Sequence, residues 1–402
     1  MARKKKVSSG AIVAICLLAV IIGVIAGAAA NVILSRPKSQ ILPLTKVTGA
    51  VAGEINVQSV LEEDLSIHFM MLGNKNNGDS IYIKAGDNDI LVDAGSKTTS
   101  INTLKNYINQ YCLDGKLEYV IATHADSDHI SAFTSVSGCK GIFESYEVKT
   151  VIDFARTNKS LLTDKGNKTT YGKYVYYRDL ENANHYTAYD CYYEQNGGQR
   201  VFQLTENIKL EILYNYYYDH NSSDENNYSV CFMINQEVGE DVRHYFFTGD
   251  LEEDGEKEMV KYYKTGNNGS LPSEVELFKA GHHGSKTSSN LVLLNEIKPK
   301  ICVVSCVAGS EEFTDVARNT FPTQDFLDNI STCTTRVYVT SMHSENENGY
   351  EPLNGNIVYC YSDREVIYCS NSSAVLKDSD WFIDAVENGL RDIPELWATP
   401  NE

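Results

Sequence analysis

The stretch Leu117-Glu118-Tyr119-Val120-Ile121-Ala122-Thr123-His124-Ala125-Asp126-Ser127-Asp128-His129 decides how this chain is read. Its first half is apolar with strand character. Its second half places His124, Asp126, Asp128 and His129, all able to bind a metal, just past the strand's end. Such a group cannot enter a core unpartnered, because buried unpaired carboxylates are costly, and a shared cation removes that conflict. The competing reading is a helix cap, with Asp128 starting the helix that follows. Two later strand ends favour the cation. Thr248-Gly249-Asp250 closes the run His244–Phe247, and Lys279-Ala280-Gly281-His282-His283-Gly284-Ser285 closes Val275–Phe278 and brings imidazoles, common zinc ligands.

Outward from that loop, 66–72, 79–86 and 88–95 read as consecutive antiparallel strands separated by the turn-rich GNKNNG and AGDN. Ile101, Leu104, Ile108 and Tyr111 recur at helical spacing, which predicts a helix over 99–112. Strand character returns at 207–218, 228–235 and 244–250. A short helix is expected over 252–263, and strands resume at 298–307, 335–341 and 355–362. Two runs of strands with interspersed helices predict a layered α/β fold. Residues 155–200, rich in Tyr, Asn and Lys without a period, read as an insertion over one face of a domain spanning 61–375. Residues 376–402 are expected to form a helical tail.

The N-terminus is of another kind. A basic cluster, Arg3, Lys4, Lys5 and Lys6, precedes an uncharged run from Val7 to Ser35, longer than the roughly 20 apolar residues that cross a bilayer. The expected order is a cytoplasmic tail (1–10), a transmembrane anchor (11–34) and a stalk (35–60), with the body outside the cell membrane by the positive-inside rule. A cleaved signal peptide, with Ala28, Ala29 and Ala30 at the cut, is the competing reading and gives the body the same side. Of the net charge of −19, five positive charges (Arg3, Lys4, Lys5, Lys6, Arg36) and no negative ones fall in the first 36 residues, which leaves −24 on the rest. A body this acidic lacks the basic footprint of a strong nucleic-acid binder. Nine of the ten cysteines lie beyond the apolar run, without a CxxC pair. Cys302 and Cys306, ~13 Å apart along a strand at ~3.3 Å per residue, cannot bond to each other. Buried free thiols are expected.

The segments HFMMLGNKNNGDSI (68–81), LVDAGS (91–96), ATHADSDHI (122–130), NNYSV (226–230), FFTGDLE (246–252) and KAGHHGSKTSS (279–289) resemble, in order, the metallo-β-lactamase superfamily, and within it the domain attached to the DNA-uptake channel ComEC. The resemblance covers roughly residues 61–370. It implies an αββα sandwich with a metal pocket on one edge, and a hydrolase with two divalent ions, zinc first and manganese as the alternative. His124, Asp126, Asp128, His129, Asp250 and one of His282 or His283 match the family's metal ligands, with Asp126 where many relatives carry a second His. Asp93 matches a carboxylate that supports the metal loop from behind. Asn227 stands where others have a further ligand, as a ligand or as support behind one. Met71 stands where the ComEC-like pattern has Asp, Ser131 and Ala132 replace glycines, and Phe321 in ARNTFP replaces a histidine.

Water activated by the ions and oriented by Asp128 is the expected mechanism, with Asp128 the catalytic residue. Lys279, Lys286 and Ser285 are candidate substrate contacts. The expected substrate is a phosphodiester, in nucleic acid or a cell-envelope polymer, with lactam, ester or thioester hydrolysis as the enzymatic alternative. A surface binding domain is the reading from another class, with metals structural or absent and the tyrosine clusters 171–179, 186–193 and 214–218 stacking on sugars or bases.

Overall fold

Period-two alternation explains how the first sheet is built. Leu65–Phe69 is buried at every position. Its odd residues lie in register with Tyr359 and its neighbours, whose faces meet the second sheet, while Ser66 and His68 face the other way. His68 bonds there to Tyr107 Oη at 2.9 Å and Ser66 Oγ at 2.8 Å. Both faces are therefore covered, which is why the strand is buried throughout. A computed structural model describes residues 50–265 and 269–398. The expected basic tail, the membrane helix and the stalk up to residue 49 lie outside the described residues.

Two mixed sheets organise the described residues. The first has nine strands, in the order Val51–Ala52, Glu365–Cys369, Ile357–Tyr361, Leu65–Phe69, Ile81–Ala85, Asn88–Val92, Lys116–Ile121, Glu147–Asp153, Asn184–Thr187. The second has eight: Tyr350–Pro352, Val337–His343, Cys302–Ala308, Leu277–Lys279, Asp241–Phe247, Phe232–Val238, Ile208–Ile212, Val201–Gln203. They meet where Tyr245 packs edge-on against Tyr359 (ring centroids 5.3 Å apart), Gln236 donates to the Tyr361 carbonyl and Tyr119 packs on Phe202. Asn88–Val92, Lys116–Ile121 and Glu147–Asp153 run parallel, as do Asp241–Phe247, Leu277–Lys279 and Cys302–Ala308. Their carboxyl ends lead into the loops of the candidate site. This is the two-sheet α/β architecture the sequence predicts.

Several expectations need correction. The helix expected over 99–112 is a 3-10 turn, Thr98–Ser100, followed by the helix Ile101–Ile108. Residues 50–60 are not a free stalk: Val51–Ala52 pairs with Glu365–Cys369, and Val60 is buried in the helix Val57–Leu61. The stretch 155–200, read as an insertion, carries elements of its own that join the fold. Asn184–Thr187 extends the first sheet parallel to Glu147–Asp153, and the helix Thr170–Arg178 buries Tyr174 against Phe133 and Phe143. Asp153 ties this region together through Arg178 Nη1 (2.8 Å) and His185 Nε2 (2.9 Å). The tyrosines are largely packing groups: Tyr214 stacks on Tyr262 at 3.7 Å, and Tyr192 and Tyr218 are buried.

The nine described cysteines are free thiols, as expected, and seven are buried. Among the described residues no helix is long and apolar enough to cross a membrane.

Candidate metal centre

Four strand ends build the site. After Val92 the chain turns at Asp93, whose φ of 57° is left-handed. After Ile121 come Thr123 to His129, after Phe247 comes Asp250, and after Lys279 come His282 and His283. A fifth element enters from the opposite direction. Ile81–Ala85 is antiparallel to Asn88–Val92 with Ile81 opposite Val92, so Asp79, just before it, arrives at the same edge. Backbone bonds lock the loops together: Ala94 N–H donates to His129 O (2.7 Å), Asp79 N–H to Asp128 O (3.2 Å) and Gly95 N–H to Asp79 O (2.7 Å). Gly78 belongs to this lock, since a Cβ there would lie 2.6 Å from the Asp128 carbonyl oxygen.

Around the centre, His129 Nδ1 is 2.7 Å from Asp93 Oδ2, while its Nε2 faces Asp250 Oδ2 at 3.1 Å. Asp93 also accepts from the Thr123 N–H (2.8 Å) and Thr123 Oγ1 (2.7 Å), so it supports the loop from behind. His283 Nδ1 donates to the Ser305 carbonyl at 2.9 Å, which aims Nε2 at Asp128 Oδ2 (3.4 Å) and Asp250 Oδ2 (3.3 Å). Asp128, His129 and His283 thus offer ligand atoms mutually within 4.8 Å, as do His124, His129 and Asp250. Nε2 of His124 and of His283 are buried without an aligned hydrogen-bond partner. Such orphaned imidazole nitrogens, surrounded by carboxylates, fit a divalent cation.

The charges agree. Burial favours neutral groups throughout, yet Asp250, Asp79 and Asp128 push His283 up to about 10. Burial is likewise outweighed at His129, which Asp250 and Asp93 hold well above the usual histidine range. Against its own burial Asp250 stays well below the usual carboxylate range through His129, His283 and Lys279. The carboxylates at the centre thus favour positive charge on the groups around them, a role that a metal ion can fill.

His283, not His282, points into the centre. His282 turns the other way, with Nδ1 3.5 Å from Glu252 Oε1 and 3.2 Å from Thr287 Oγ1. Asp126 lies 3.6 Å from His124 Nε2, and its other oxygen pairs with Lys159 Nζ. Asn227 is engaged elsewhere: its Nδ2 is 3.3 Å from Ser222 Oγ, and its Oδ1 accepts from the Glu252 N–H at 3.4 Å. Lys279, expected near substrate, is corrected to an interior group. It is 1% exposed, and its Nζ pairs with Asp79 and, at 3.3 Å, with Asp250.

Ser285 and exposed Lys286 line a cavity of about 340 Å³ with His282, Phe313, Phe321 and Thr323. Phe321 lies 5.8 Å from the His283 ring and gives the cavity an apolar wall beside the centre. Sequence reasoning missed Asp79 and Lys159. The DS at the start of a strand signals the first; nothing local signals the second.

Residues 73–137 match the family model described as Metallo-beta-lactamase superfamily. No curated protein matches the chain in sequence. Among solved structures the chain is similar to the metallo-beta-lactamase fold protein YhfI from Bacillus subtilis, with 11% identity, 71% of this chain and 98% of that one covered, and a TM-score of 0.36. It is also similar to a probable metal-dependent hydrolase from Staphylococcus aureus (16% identity, 47% and 73% covered, TM-score 0.25). A third is the class B3 di-zinc metallo-beta-lactamase LRA-12 from an Alaskan soil metagenome (14% identity, 50% and 69% covered, TM-score 0.29). The stretch similar to the metallo-beta-lactamase superfamily runs from the loop before Asp79 to just past the His124–His129 loop, and so includes the candidate ligands His124, Asp126, Asp128 and His129.

Proposed function

We propose that this domain is a metal-dependent hydrolase of phosphodiesters, in nucleic acid or a cell-envelope polymer, tethered outside the cell membrane by the N-terminal segment. The convergence of Asp128, His129, Asp250 and His283 from three separate stretches of chain carries the reading. A divalent ion, zinc before manganese, supplies Lewis acidity there and lowers the pKa of water toward neutrality.

The chain's own groups do the rest. Asp93 fixes the proton on His129 Nδ1 and leaves Nε2 to bind. The Ser305 carbonyl does the same for His283. Asp128, its side chain 23% exposed where the other central groups are sealed, faces the open side and can accept the proton of an attacking water. Lys286 lines the neighbouring cavity and Lys159 pairs with Asp126, so each offers positive charge to an anionic group. The net charge of −24 beyond residue 36 favours a short or envelope-bound ester over long DNA.

The test is turnover by the zinc-loaded full chain on a panel of phosphodiester, phosphomonoester, lactam and thioester substrates, with Asp128→Ala alongside. Phosphodiester turnover that falls about 10²-fold or more in the variant is expected. Preference for a lactam or thioester, or turnover indifferent to Asp128→Ala, contradicts the reading. Bound metal without turnover on any substrate favours a binding domain.

A further inference from the structure

The two halves of the centre are not equally equipped. Around Asp128, His129, Asp250 and His283 two imidazoles and two carboxylates converge, and each imidazole has its far nitrogen fixed by a partner. The outer half offers one imidazole of its own, His124, with Asp126 in the second place. The side chain expected as a further ligand, Asn227, is committed to Ser222 and to the Glu252 backbone.

Into this gap comes a lysine. Lys159 Nζ pairs with Asp126 Oδ1, while Asp126 Oδ2 lies 3.6 Å from His124 Nε2. The lysine is placed on purpose-built backbone: Glu225, 6% exposed, accepts from the Asn158 N–H at 2.7 Å and from the Ala125 N–H at 3.3 Å, fastening the lysine's segment to the metal loop. Thr157 Oγ1 accepts from Lys159's own N–H at 2.9 Å. Partial burial works against the charged amine, but Asp126, Glu225 and Asp128 together outweigh it and hold Lys159 above the usual lysine range. An ammonium here repels a second divalent ion and occupies one of the few oxygens that ion needs.

We propose that the Lys159 ammonium takes the place of the outer metal ion: the chain holds one divalent ion tightly, at Asp128, His129, Asp250 and His283, and Lys159 meets the anionic oxygen of the substrate. An ammonium is a compact point charge suited to a phosphoryl oxygen. Its pairing with Asp126 is solvent-accessible, with side chains 40% and 27% exposed, so it can exchange one anionic partner for another. The substrate clause rests on the hydrolase reading; the ion count does not.

The experiment uses the full chain in mild detergent, stripped of metal, reloaded with zinc and desalted against a weak chelator. Zinc per chain is measured by elemental analysis, and inorganic phosphate binding by calorimetry. The wild type is expected to retain about one zinc per chain, and the pair Asn227→His with Lys159→Met about two, since a second imidazole and a freed carboxylate complete a site of usual zinc composition. Lys159→Met alone is expected to weaken phosphate binding about tenfold or more, the scale of a lost charge-assisted hydrogen bond, with Lys159→Arg restoring most of it.

Two tightly held zinc ions in the wild type, or phosphate affinity within about twofold of wild type in Lys159→Met, overturns the proposal. If the paired variant does not fold, the wild-type count and the Met/Arg comparison decide alone. One ion with Lys159-dependent phosphate binding but no hydrolysis keeps this inference and defeats the hydrolase. Hydrolysis with two ions does the reverse.

Discussion

Asp93→Asn isolates the support behind the metal loop. The backbone at Asp93 has φ 57°, a region Asn tolerates nearly as well as Asp, so the exchange adds little strain. What changes is the chemistry of three bonds. Asp93 accepts from Thr123 N–H, from Thr123 Oγ1 and from His129 Nδ1, at 2.8, 2.7 and 2.7 Å. An amide has one acceptor oxygen, so its NH₂ must face at least one of these donors. If that donor is His129 Nδ1, the ring's proton moves to Nε2, the nitrogen needed at the centre. Loss of such a partner typically weakens metal binding 10–100-fold, or about 1.4–2.7 kcal/mol. The assay is zinc competition against a chromogenic chelator at pH 7.5, with circular dichroism to confirm folding. Affinity within about twofold of wild type, in a folded variant, would show that Asp93 does not tune His129.

Other consequences are as specific. Lys279→Met removes the cation between Asp79 and Asp250, and breaking a buried pair from one side costs about 3–5 kcal/mol, seen as a lowered denaturation midpoint; an unchanged midpoint would mean that Asp79 is neutral. Burial pushes the Glu256 carboxyl up to about 8 from its ordinary 4.5. The folded state therefore keeps a proton that the unfolded chain loses, and this group's contribution declines as pH rises from about 4.5 to 8, by up to about 1.4 kcal/mol per pH unit. Glu256→Gln should flatten that slope in urea titrations across the window, and an unaltered slope rejects the shift. Arg391 reaches from near the C-terminus to the Thr320 carbonyl (3.0 Å) and Thr320 Oγ1 (2.8 Å), beside the cavity wall at Phe321. Arg391→Met should raise KM about three- to tenfold with unchanged zinc content; a KM unchanged by the substitution would uncouple the tail from the cavity.

Much of the site was legible because its donors are dense in sequence. His124, Asp126, Asp128 and His129 fall within one loop, and the carboxylate and imidazoles that join them sit at the ends of recognisable strands. What failed has physical reasons. Asp79 opens the strand expected over 79–86, directly after a long polar turn, and its position in the sequence does not show which residues it meets. Only the antiparallel pairing of Ile81 with Val92 shows that it reaches the same sheet edge as Asp93.

Lys279, expected as a substrate contact, instead ends a fully buried strand and faces two carboxylates, a partnership that no local pattern announces. The choice between His282 and His283 depends on consecutive left-handed residues, φ 45° and 55°, which throw neighbouring side chains in opposite directions. The tyrosine-rich stretch showed no period because its helix is short and carries tyrosines on several faces, among them buried Tyr174 and exposed Tyr176. Lys159 is a contact across the fold, without a local signature.

A cation among residues from three separate stretches of chain is the one requirement that every proposed role of the site shares. Anomalous diffraction at the zinc edge, from crystals of the zinc-loaded protein, tests this directly. A peak within about 2.0–2.2 Å of His129 Nε2, His283 Nε2 and oxygens of Asp128 and Asp250 is predicted. A map with no peak there, or with zinc held only at surface carboxylates, contradicts it.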